Sequence, residues 1–128
     1  MVSRRQRLGA FGERVARAAL ERAGYAFAEA NVRLKPGEID LVMRDGEEWV
    51  LVEVRTRRAA PGAAAESVGA AKLRRLWRCA EAFSMTRGVP LDRIRVELVC
   101  VELDASGRLL GVEHFRHLEF PEEEEPPW

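Results

Sequence analysis

The sequence predicts an α/β sandwich: a mixed sheet organised around a central antiparallel hairpin and covered by helices. Three observations carry that expectation. Apolar residues recur at helical spacing near the start of the chain and again in its second half. Between these stretches, two short apolar runs flank Asp45-Gly46-Glu47-Glu48, a hairpin signature. Two further strand-like runs, residues 94–103 and 109–120, close the order α-β-β-β-α-β-β.

Residues 3–23 read as a helix. At about 100° per residue, Leu8, Phe11, Val15 and Ala19 share one face and Arg14, Arg17 and Glu21 the other. Gly24 ends it. Residues 25–34 are extended and lead into a Lys35-Pro36-Gly37 turn. In strand 38–44, Ile39, Leu41 and Met43 fall on one face, with Glu38, Asp40 and Val42 on the other. In strand 49–57, Val50, Val52, Val54 and Thr56 alternate with Trp49, Leu51, Glu53, Arg55 and Arg57. Both faces are apolar for several residues, which marks a central strand covered on both sides. Residues 56–65, with Pro61, Gly62 and several alanines, read as a mobile loop. Ser67 caps a second helix that runs to Arg87 and stops at Gly88 and Pro90. Asp104-Ala105-Ser106-Gly107 turns between the last two strands. Residues 1–120 form one domain, and the acidic, proline-containing segment 121–128 is expected to be disordered.

A chain of 128 residues, 47% hydrophobic, can bury one core. No apolar run approaches the roughly 20 residues that span a bilayer, and no signal segment follows the basic start, so a cytoplasmic setting without membrane contact is expected. Two cysteines and two histidines exclude a Cys/His zinc site, and Cys79 and Cys100 read as core-filling thiols. The net charge of zero conceals an asymmetry. Up to residue 100 there are 19 Lys and Arg against 13 Asp and Glu; beyond it there are 2 against 8. The body suits phosphates, and the acidic tail suits an unidentified protein partner.

The hairpin carries the chemistry. A carboxylate at Glu53, directly after Val-Leu-Val in a covered strand, is costly unless compensated. If Asp45-Gly46 form the turn, Arg44 pairs with Glu47 and Asp40 lies diagonal to Glu53. If residues 45–48 form a four-residue loop, Arg44 pairs with Trp49 and Asp40 lies opposite Glu53. Either register brings the two carboxylates within roughly 5–8 Å on one side. Such a pair raises its own pKa values unless a cation intervenes, and its hard oxygens suit Mg²⁺ or Mn²⁺. Arg55 adds a cation on the same face. Lys72 falls on the buried stripe of the second helix, with Val68, Leu76, Cys79 and Phe83, and must reach a carboxylate or a phosphate, or snorkel. Arg74, Arg75 and Arg78 occupy mostly the opposite, solvated side. Glu13 stands beside Gly9, Gly12 and Ala16, whose small side chains permit close approach. Glu97 interrupts an apolar strand and is expected to pair with an arginine; His114 and His117 read as structural.

Gly37-Glu38-Ile39-Asp40, twelve residues, then Val52-Glu53-Val54-Arg55 resembles the PD-(D/E)XK nuclease core, with arginine for lysine. Gly9-x-x-Gly12-Glu13, Asn31-x-Arg33 and Glu66-Ser67-Val68 with Lys72 extend the likeness to the uncharacterised bacterial YraN-type family. Those nuclease-like proteins are similar to archaeal Holliday-junction resolvases. The resemblance covers roughly residues 8 to 103.

The resemblance implies a restriction-endonuclease-like α/β/α sandwich with about five strands. It implies Asp40 and Glu53 as ligands of Mg²⁺ or Mn²⁺, and a catalytic set of Glu13, Asp40, Glu53, Arg55 and Lys72. The function expected is divalent-metal-dependent cleavage of DNA, branched or damaged, with Arg57, Arg74, Arg75 and Arg78 gripping the phosphates. A homodimer is expected by analogy with resolvases. A non-catalytic nucleic-acid-binding module and a structural adaptor are the alternatives, since an arginine stays charged and cannot act as a base.

Overall fold

The computed structural model describes residues 3–58 and 69–121. Helix α1 (Arg4–Arg22) is followed by β1 (Ala26–Leu34), β2 (Gly37–Asp45) and β3 (Glu48–Arg58). Helix α2 (Ala70–Arg87) and a 3₁₀ turn (Leu91–Arg93) lead to β4 (Ile94–Leu103) and β5 (Leu109–Phe115). The five strands lie in the order β1-β2-β3-β4-β5, parallel between β3 and β4 and antiparallel elsewhere. This is the mixed-sheet α/β architecture the sequence predicts. Neither helix is long and apolar enough to cross a membrane.

Local chemistry fixes the helix ends. Ser3 accepts the Gln6 N–H at 3.1 Å while the Gln6 side chain accepts the Ser3 N–H at 2.9 Å, a capping box that satisfies two otherwise orphaned donors. Gly88, with φ of 66°, ends α2 in the left-handed conformation. The start of α2 differs from expectation: its N-cap is Gly69, without a side-chain bond, and Ser67 lies outside the described residues. Thr56 and Arg57, expected both in strand 49–57 and in the loop, lie in β3 as that strand predicts, and Arg58 instead extends it; all three pair with β4. The remaining loop residues, and the acidic tail from Glu122, lie outside the described residues.

Alternation on β3 and β4 sends side chains to two cores. Val50, Val52, Val99, Val101 and Leu103 pack with Ala16 and Leu20 of α1. Leu51, Ile94 and Val96 pack with Leu76, Cys79, Ala80 and Phe83 of α2. The central strand is thus covered on both sides, as its sequence requires. Both cysteines are buried thiols.

Strand β2 departs from its expected alternation. Leu41 and Met43 join the α1 core, but Ile39 joins the α2 core with Val42. The break falls at Asp40. The last ladder pair of the hairpin toward this end is Leu41 with Val52, and beyond it the Asp40 side chain accepts the Val54 N–H at 2.8 Å. A side-chain oxygen there does the work of a backbone carbonyl, which frees the strand to turn Ile39 inward to the other core. At the opposite end Arg44 pairs with Trp49 and Asp45 with Glu48, so Gly46 and Glu47 form the turn, with φ of 62° at Gly46.

The last strand stops at Phe115, earlier than its sequence suggests. His117 adopts φ of 51°, and the chain rejoins the β4 backbone through the Leu118 N–H to the Val96 carbonyl. Nearby, Glu97 is fully buried. It accepts bonds from Tyr25 Oη at 2.8 Å, Arg95 Nε at 3.2 Å and the His117 N–H at 3.2 Å, and contacts His114 Nε2 at 2.8 Å. Burial alone would raise its pKa; these bonds and the Arg95 charge hold it below the ordinary carboxylate range instead. The arginine partner expected for Glu97 is Arg95.

Candidate active site

The residues singled out in the hairpin converge at the end of the sheet where α1 begins. Helix α1 can approach β3 closely only because residue 12 is glycine: a Cβ there would lie 1.7 Å from Thr56 Oγ1. That contact puts Glu13, one residue on, at the mouth of an open cleft of 630 Å³. Gly9, Glu13, Asp40, Arg55, Arg57 and Arg58 are among the residues lining it.

Asp40 and Glu53 sit within reach of a carboxyl–carboxylate hydrogen bond. Burial, then the Glu53 charge, pushes Asp40 up from its ordinary value to about 7, against the opposing pull of the Val54 N–H. Glu53 lies deeper, 5% exposed, and is compensated from α2 by Lys72, whose Nζ lies 2.9 Å from Glu53 Oε1. The sequence expectation that Lys72 must reach a carboxylate or a phosphate is met by this carboxylate. Arg55 Nε stands 3.6 Å from the same oxygen, beyond hydrogen-bonding distance, and is a buried donor with no hydrogen-bond partner among the described residues. Glu13 is raised by burial and by the charges of Glu38 and Glu53, and eased by a bond from Asn31.

The three α2 arginines divide. Arg74 is half-buried and Arg78 exposed. Arg75 does not stay on the far side of the helix with the other two, where it is expected. Its side chain leans over the start of β2, where a Cβ on Gly37 would lie 3.5 Å from Arg75 Cδ, an ordinary contact distance. The long arginine stem spans that distance. None of the three lines the cleft. Among the cleft residues, Arg58 escaped the sequence reading of the site because it was assigned to the loop rather than to β3, and Thr56, read on strand 49–57, was given no role there.

Among the described residues no group of three or more His, Cys, Asp or Glu side chains forms a metal cage. A Mg²⁺-type site does not require one, because that ion keeps several waters and takes one or two carboxylates. The Asp40–Glu53 pair, whose mutual repulsion already lifts Asp40, is a donor set of that kind.

Known proteins resemble this chain in sequence. The pattern of the uncharacterised protein family UPF0102 matches residues 12–101, a span that includes Glu13, Asp40, Glu53, Arg55 and Lys72. A UPF0102 protein of Moorella thermoacetica is 42% identical over 114 residues, covering 88% of this chain and 95% of that one. One from Roseiflexus castenholzii is 40% identical over 116 residues, covering 89% and 94%. One from Serratia proteamaculans is 51% identical over 86 residues, covering 66% and 74%. With the family pattern matched over residues 12–101 and nearly the whole length of two relatives aligned, this chain belongs to the uncharacterised protein family UPF0102.

Proposed function

We propose that the cleft is a divalent-metal-dependent phosphodiesterase site acting on DNA. The observation that carries this reading is the pairing of Asp40 with Glu53 at a cleft lined by three arginines, with Lys72 holding the deeper carboxylate. Asp40 and Glu53 are the residues that would hold Mg²⁺ or Mn²⁺. The chemistry supplied by the bound ion is charge neutralisation at a phosphate oxygen. Lys72 fixes the orientation of Glu53. Arg55 stays charged throughout, so it braces a phosphate and takes no proton. Arg57 and Arg58 hold the flanking backbone, and Arg74, Arg75 and Arg78 extend the basic surface along α2. Glu13, raised by burial and by its acidic neighbours, is the group placed to carry a proton at the cleft mouth.

The test is incubation of the full chain with branched, nicked and single-stranded DNA, with Mn²⁺, with Mg²⁺ and with chelator. Metal-dependent strand cleavage that is lost in Asp40→Asn supports the reading. Salt-sensitive binding without cleavage would favour a binding module on the same fold, a reading that Arg55 in place of lysine also suits. Neither binding nor cleavage would overturn both.

A further inference from the structure

The geometry points to Asn31 as a positioning residue of the carboxylate site, fixing where Glu13 and Glu38 stand beside Asp40. This rests on reading the cleft as a metal site. Asn31 lies in β1 with φ of 53°, between the ladder pairs Ala30 with Leu41 and Val32 with Ile39. It therefore faces Asp40 across the strands, at the point where β2 breaks its alternation. Asparagine tolerates that left-handed conformation better than most side chains. With its amide nitrogen turned to the acidic side, it donates to Glu38 Oε1 at 2.9 Å and to Glu13 Oε1 at 3.3 Å. Both neighbours are carboxylates, which only accept, so the orientation follows from the partners. One amide thus ties helix α1 to strand β2 beside the paired carboxylates. An aspartate at this position would tolerate the same backbone but could not donate to either glutamate.

Two measurements on the full chain test this. The first is the pair of Asn31 side-chain amide resonances in a ¹⁵N-labelled sample, compared in Glu13→Gln and Glu38→Gln. Shifts in both variants are expected; resonances unmoved in both would overturn the assignment. The second is Mn²⁺ affinity by calorimetry. Asn31→Gly keeps the left-handed backbone and removes the amide, so it should melt near the parent yet bind Mn²⁺ measurably more weakly, because Glu13 and Glu38 are no longer held in place beside the paired carboxylates. Asn31→Asp combined with Glu38→Gln returns an amide to the contact and should recover affinity over Asn31→Gly. Parent-like affinity in Asn31→Gly would reduce Asn31 to a turn residue and overturn the proposal. If the parent binds no Mn²⁺, the metal reading fails, and the amide resonances alone decide the role of Asn31.

Discussion

Lys72 Nζ lies 2.9 Å from Glu53 Oε1, a contact that joins helix α2 to the middle of the sheet beneath the cleft. Glu53 is nearly inaccessible and Lys72 keeps 21% of its side chain exposed, so the pair is desolvated from one side. Breaking such a pair leaves a buried charge behind, which costs more than the pair contributes.

Lys72→Met should therefore destabilise the fold by about 1–3 kcal/mol, and Lys72→Met with Glu53→Gln by less than the single change. Denaturant unfolding of the cycle measures this. Additive losses would mean that the contact carries no coupling.

Asp40→Asn has the opposite expectation. The folded chain keeps the Asp40 proton up to about pH 7, whereas the unfolded chain releases it near the ordinary value of 3.8. Protons bound in the folded state then exceed those in the unfolded state across that window, so this group's contribution to stability falls as pH rises through it. An asparagine carbonyl still accepts the Val54 N–H but carries no charge. In chelator, Asp40→Asn should flatten the decline between pH 4 and pH 7 and stabilise the chain at pH 8 by on the order of 1 kcal/mol or more. Melting curves across that range check it, and a lower melting temperature at pH 8 would mark Asp40 as structural.

Gly12→Ala places a methyl group 1.7 Å from Thr56 Oγ1, which forces α1 away from β3. A loss of about 1–3 kcal/mol is expected. Thr56→Ala in the same chain removes the clashing oxygen but leaves Thr56 Cβ 2.9 Å from the new methyl group, so it should recover part of the stability and not all of it. Failure to recover would place the strain elsewhere.

Arg55→Lys restores the residue usual at this position of the nuclease pattern. The shorter ammonium can still reach Glu53, and its three donors rotate freely. On the proposed reading of the cleft as a phosphodiesterase site, cleavage with Mn²⁺ should be preserved or increased. Loss of cleavage with Mn²⁺ affinity unchanged would show that the guanidinium fork itself is required.

Much of this was legible in the sequence because two periodicities dominate it. Leu8, Phe11 and Val15 announce α1, and Val50 to Val54 announce a strand with two covered faces. The Asp40–Glu53 pairing followed from register alone, since both hairpin alternatives put the carboxylates together. The flip of Ile39 was not legible, because it depends on the Asp40 side chain replacing a ladder carbonyl. Asn31 left a faint signal: an asparagine inside an otherwise regular strand is a candidate for left-handed backbone. Arg75 was misplaced because it was grouped with Arg74 and Arg78, although it stands one helical turn before the buried Cys79, on the flank of the apolar stripe. The end of β5 depends on the backbone of His117, which hydrophobic spacing does not encode.

The parallel pairing of β3 with β4 has a consequence for how the protein is made. The hairpin of β2 and β3 closes locally as soon as it is synthesised, bringing Asp40 and Glu53 together early. Its outer edge stays open until α2 and then β4 have been translated, since Trp49 through Arg58 find their partners only in Ile94 through Leu103. During that interval the nascent chain presents Val50-Leu51-Val52 as an unpaired, strongly apolar strand edge. Ribosome-bound chains stalled before Ile94 should be the aggregation-prone species in this protein's synthesis, and holdase chaperones should engage them there.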